Sequence, residues 1–157
     1  MKEKYMLKLS GYFAIVILLT GMVAGCGGQS AEVPDALIPV TGTVKLDGKP
    51  AANISVLFNP GKGTGGTGGY GVTDSEGKYS VTHRSNQPGI EAGEYIVTFS
   101  KMGLPDGSPI PEGKDAADVG AVQLLPDKYT NPNRELNLTM ATVKAPGVTL
   151  DYEITTK

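Results

Sequence analysis

Few side chains in this sequence carry chemistry by type and spacing. Cys26 is the sole thiol, at the end of Val23-Ala24-Gly25-Cys26. A lone thiol serves as a nucleophile, a metal ligand, half of an interchain disulfide, or a modification site outside the folded domain. His83 is the sole histidine and stands beside Arg84. It supplies one general base but no partners for a relay or a metal shell, so it reads as an exposed loop histidine. Asp74 and Glu76 flank Ser75 ahead of Gly77 and form a candidate cation site. Calcium asks for more oxygen ligands than this turn offers, and an Asp capping its own turn explains the same residues. Glu112, Asp115 and Asp118 make a second acidic group, read as a solvated loop.

The stretch "NPGKGTGGTGGYG" contains G-x-G-x-x-G in three overlapping frames, from Gly61, Gly63 and Gly66. A dinucleotide site needs those glycines to open a helix, so that amides and the helix dipole face a pyrophosphate. Here they open onto the strand-like Tyr70 to Thr73. Nor is there a G-K-[ST], because Gly63 follows Gly61-Lys62. The 61–71 segment therefore reads as a flexible glycine-rich loop between strands.

The elements that must position these groups are strands. In 157 residues there are 22 Gly, 11 Pro and no Trp, which favours short strands and turns in one domain. Apolar residues recur at every second position: Val40, Val44 and Leu46; Ile54, Val56 and Phe58; Tyr95, Val97 and Phe99; Leu136, Leu138 and Met140; Val148, Leu150, Tyr152 and Ile154. Period two marks half-buried antiparallel strands. Leu57 and Ile96 break the alternation, as residues on central strands or near an open side do. Asp47-Gly48, Glu76-Gly77 and Ala92-Gly93 supply turns, and "TDSEGKYSV" reads as a hairpin arm. About seven strands over 40–157 predict an all-β, antiparallel β-sandwich. The proline-bearing segment 102–126 is a long insertion, either functional or mobile, with room for one helical turn at Asp115 to Asp118.

The amino terminus differs in kind. Lysines 2, 4 and 8 against Glu3 give the first 25 residues +2, leaving −4 on the remainder within a whole-chain charge of −2. No basic footprint for nucleic acid is left. A charged start, an apolar centre from Tyr12 to Leu19 and small residues ahead of Cys26 form a secretory signal peptide over 1–25. The apolar part is shorter than the roughly 20 residues that span a bilayer. Val23, Ala24, Gly25 and Cys26 resemble the lipobox of bacterial lipoproteins. That resemblance implies a diacylglyceryl group on the Cys26 thiol, cleavage before it, and acylation of the new amino terminus. Two or more chains make a stable anchor, at about 0.8 kcal/mol for each buried methylene. Gly27, where enteric inner-membrane retention would use aspartate, points to an outer-membrane or surface destination; the expected location is the cell envelope, at the outer membrane or a periplasmic face rather than a cytoplasmic one. Residues 26–39 read as the lipidated cysteine and a tether, with a root-mean-square reach of about 20 Å.

"VTGTVKLDGKPAANISVLFNP", "GVTDSEGKYSV" and "GEYIVTFSK", followed by "LPDKYTNP", resemble the carboxypeptidase regulatory-like domain. That is a transthyretin-like β-sandwich, found behind a lipobox in small, many of them planctomycetal, lipoproteins. The resemblance implies a fold and no ligand. Transthyretin-like ureide hydrolases need several histidines and a Y-R-G-S ending, whereas this chain ends in "EITTK". The expectation is a non-catalytic, cofactor-free and metal-free interaction or structural module, held at a membrane by lipid. Its expected partners are envelope protein or glycan. The alternatives are a hydrolase or accessory subunit acting on envelope carbohydrate or peptide, and a calcium- or sugar-binding module.

Overall fold

Alternation fixes the first strand, β1 (Val40–Leu46), in which Val40, Gly42 and Val44 point inward and are buried. Asp47 and Gly48, both at positive φ (51° and 80°), then reverse the chain into β2 (Lys49–Pro50). The computed structural model describes residues 36–133 and 139–156. Within them, strand segments are joined by turns, and the one short helix is α1 (Asp127–Thr130). The chain is all-β in class.

Strand β1 is the centre of one sheet. Along one edge it pairs antiparallel with β2 and with β5 (Lys78–Ser80). Along the other it pairs in parallel with β11 (Val148–Thr149) and β12 (Tyr152–Ile154). The second sheet is antiparallel throughout. Its order is β10 (Met140–Val143), β7 (Gly93–Ser100), β3 (Ser55–Pro60), β4 (Gly69–Val72) and β6 (Thr82–His83). The inner faces meet in one core, with Val40, Val44, Tyr79 and Ile154 from the first sheet against Val56, Phe58, Tyr95, Val97, Phe99 and Val143 from the second. Tilted and edge-to-face rings cross the interface: Phe58 with Tyr79 at 6.5 Å and Phe99 with Tyr152 at 5.0 Å. Such geometry is favoured over flat stacking.

Several expectations change here. The turn with Asp74 and Gly77 does not close a hairpin, because β4 belongs to the second sheet while β5 pairs with β1 in the first. The run 78–83 then crosses back: residues 78–80 lie on β1 and residues 82–83 lie on β4. Inward-facing Tyr79, Val81 and His83 keep one phase through the crossing. The final strand is also interrupted. Between β11 and β12 the Leu150 carbonyl approaches Gly42 so closely that any Cβ there would collide with it and with the Tyr79 ring. The Tyr79 hydroxyl donates to that carbonyl at 2.8 Å, and burial, then Tyr152 and Asp151, raise its pKa. In β10 the buried residues are Ala141 and Val143, so Met140 faces out, against the expected phase; Leu136 and Leu138 lie outside the described residues. Leu57 and Ile96 sit on the central strands β3 and β7, half-buried on the outer face. Ile38, within the stretch read as tether, is buried and exchanges two backbone hydrogen bonds with Ile90.

The insertion begins and ends in a two-stranded ribbon, β8 (Met102–Gly103) against β9 (Val122–Gln123). Between these strands the chain makes tight turns, including Asp118 N–H to the Asp115 carbonyl, but no helix. The helix lies instead in "LPDKYTNP". There Tyr129 packs edge-on against Phe99 at 6.4 Å, and its hydroxyl accepts from the Thr155 amide.

Candidate functional site

His83 is not an exposed loop histidine. Its place on β6 turns the ring inward, and it is 2% exposed. Nδ1 accepts from the Ser85 amide at 3.1 Å and lies 2.7 Å from the Ser85 hydroxyl. An accepting Nδ1 assigns the proton of the neutral ring to Nε2. Nε2 lies 3.0 Å from Glu91 Oε1 and 2.9 Å from Thr67 Oγ1. Burial pushes the Glu91 carboxyl up. Hydrogen bonds from its own amide, the Thr67 amide and His83 outweigh this and hold it below the usual range. The Glu91 main-chain carbonyl accepts the Tyr95 hydroxyl, whose pKa is pushed up to about 12, first by burial and then by the Glu91 charge.

This node fastens the glycine-rich loop. Thr67 gives Glu91 its amide, and its carbonyl accepts Arg84 Nε at 3.0 Å. On the other side of the loop, Thr64 Oγ1 donates to the Glu94 carbonyl and accepts from the Glu94 amide, which extends contact with β7 beyond the end of β3. The loop is thus stitched at several points. A hydroxyl, an imidazole and a carboxylate in series also form the parts of an acyl-transfer relay. Ser85, however, is two residues from His83 and engages the ring through its own amide as well, as a local turn does.

Asp74 and Glu76 lie in the turn between β4 and β5. Asp74 Oδ1 accepts the amides of Glu76 and Lys78 at 2.9 Å each, and Glu76 accepts the Ser75 hydroxyl. Gly77, at φ 74°, lets this turn close against β1. Glu112, Asp115 and Asp118 are exposed on the insertion. Among the described residues no three His, Cys, Asp or Glu side chains gather closely enough to hold a metal ion. Cys26, and Val23, Ala24 and Gly25 expected to form a lipobox with it, lie outside the described residues.

A feature that sequence reasoning missed is a cleft of about 590 Å³ where the insertion meets the ends of β3, β4 and β7. Val72, Met102, Ile110 and Leu124 give it apolar walls, with Asn53 and Lys101 also lining it. Gln123 holds the returning arm. Its Oε1 accepts the amides of Lys101 and Leu125, and its Nε2 donates to Ser100 Oγ. The Lys101 ammonium donates to the Ala52 carbonyl at 2.6 Å. The proline-rich insertion was the one signal for this cleft, since its walls come from segments far apart in sequence. Comparison with protein-family models, curated proteins and solved structures gives no match.

Proposed function

We propose that this protein is a lipoprotein of the bacterial cell envelope, anchored through Cys26. Its β-sandwich serves as a non-catalytic interaction or structural module on a short tether. The observation that carries this reading is the lipobox Val23-Ala24-Gly25-Cys26 at the end of a lysine-bearing, apolar leader. The domain that follows fits the role. It is all-β, and its short outer strands offer edges to which an extended segment of an envelope protein can add. Within this reading the domain is of the carboxypeptidase regulatory-like, transthyretin-like type, and it faces the periplasm or the outer membrane. Membrane fractionation of cells carrying Cys26→Ser tests the anchor. The variant is expected in the soluble fraction, and the wild-type amino-terminal peptide is expected to carry the mass of a diacylglyceryl cysteine. Retention of the variant in the membrane, or an unmodified wild-type thiol, overturns the anchor.

The contacts among Ser85, His83 and Glu91 favour a second reading, a hydrolase or accessory subunit on envelope carbohydrate or peptide. It requires Ser85 to react with a fluorophosphonate probe and Ser85→Ala to abolish the labelling. An unlabelled wild-type protein removes it.

A further inference from the structure

The cleft at the insertion has walls of uneven chemistry. Its volume of about 590 Å³ falls in the range that holds small organic ligands. Val72, Met102, Ile110 and Leu124 offer it branched aliphatic and thioether surface. Among the described residues that line it, Lys101 is the sole ionisable side chain, and there is no aromatic ring. The absence of lining carboxylates disfavours a cationic ligand, and the absence of rings removes the platform on which a sugar or base would stack.

Among the described residues Lys101 is held in place without an ion-pair partner. One of its three donors goes to the Ala52 carbonyl, and no carboxylate among the described residues lies within ion-pair distance of it. A half-buried ammonium next to apolar walls favours an anion, since the pairing is screened less than at an open surface. The Gln123 clamp fixes the lining wall through three hydrogen bonds, so the cleft is formed before any ligand enters. Preorganisation of that kind lowers the cost of binding.

We propose that this cleft binds a medium-chain aliphatic carboxylate, with its head on the Lys101 ammonium and its chain along Val72, Met102, Ile110 and Leu124. The inference goes beyond the anchoring proposal and stands or falls separately from it. The test uses the full-length chain in lipid nanodiscs, with carbon-13 on the methionine methyl groups. Met102 lines the cleft and reports on it, while Met140, on strand β10, is the control in the same spectrum. Octanoate is expected to shift the Met102 methyl saturably while Met140 stays in place, and to bind about tenfold tighter than octan-1-ol. Octylammonium is expected to bind no better than the alcohol. Lys101→Gln is expected to bring octanoate to the level of the alcohol, and Lys101→Arg to retain most of the preference. An unmoved Met102, equal binding of octanoate and octanol, or unchanged binding by Lys101→Gln overturns the proposal. Where the ligand-free Lys101→Gln spectrum already displaces Met140, the fold has moved and Ile110→Asp takes its place; octanoate binding retained by that variant is equally fatal.

Discussion

At the residue scale, the buried His83 and its half-buried partner Glu91 form the main polar node of the domain. His83→Ala removes the partner of a carboxylate that is only 13% exposed and frees Thr67 from one of its contacts. The Thr67 amide still donates to Glu91, so losing the His83 contact costs about 1 to 2 kcal/mol, read as a lowered urea midpoint. Its acid dependence has a definite sign. The folded Glu91 carboxyl lies below its ordinary value, so the unfolded chain takes up the proton first as pH falls. The stabilisation is fully present above the ordinary glutamate value, about 4.3, and is lost as pH drops through the lower folded value. Denaturation between pH 3 and 7 should therefore show a shallower acid limb in Glu91→Gln than in the wild type. Identical limbs would assign the acid sensitivity elsewhere. The position of His83 was legible in the sequence. In "KYSVTH" it keeps the inward phase of Tyr79 and Val81, a periodicity that a lone-histidine argument passes over.

At the element scale, the decisive feature is where each strand goes once its turn is made. The Asp74–Gly77 turn was legible, because an Asp that accepts two amides and a glycine at positive φ define it locally. Its destination was not legible, since a turn leading to a neighbouring strand and one leading to the facing sheet use the same residues. Thr73 marks the start of that crossing. It is buried, its hydroxyl donates to the Ala51 carbonyl, and it accepts the Ile54 amide. Thr73→Val keeps the shape but strands both groups, and a loss of about 2 kcal/mol is expected in chemical denaturation. Gly42 has a similar role on the opposite sheet, where β1 lies beneath the break between β11 and β12. Gly42→Ala drives a methyl into the Leu150 carbonyl and the Tyr79 ring. A loss of about 3 kcal/mol is expected, with faster amide exchange along β11 and β12 than along β3 and β7. Uniform exchange would show that the parallel edge is not a separate unit.

At the scale of the whole molecule, the sandwich and the insertion have separable roles. The core is built from strands, whereas residues 105–120 contribute no fully buried side chain to it. Replacing 105–120 with a short Gly-Ser turn should leave stability within about 1 kcal/mol, because shortening a loop changes closure entropy only slowly. The same change removes Ile110 and Pro109 from the cleft and should abolish the octanoate response of Met102. A large fall in stability would make the insertion part of the fold rather than an addition to it.

The sequence by itself determined the class of the domain, its main strands and its turns. Those depend on period-two burial and on backbone conformations that a few neighbouring residues impose. It also holds the contiguous stretch Val23-Ala24-Gly25-Cys26, on which the proposed anchor rests and whose reading needs no folded partner. Only the tertiary structure decided that β1 pairs in parallel with the last strands, that 78–83 crosses between sheets, that His83 is buried on Glu91, and that Lys101 faces a cleft. Each of these joins residues that are distant in sequence or neutral in pattern. Alternation says which side of a strand is buried, but not which strand lies beside it.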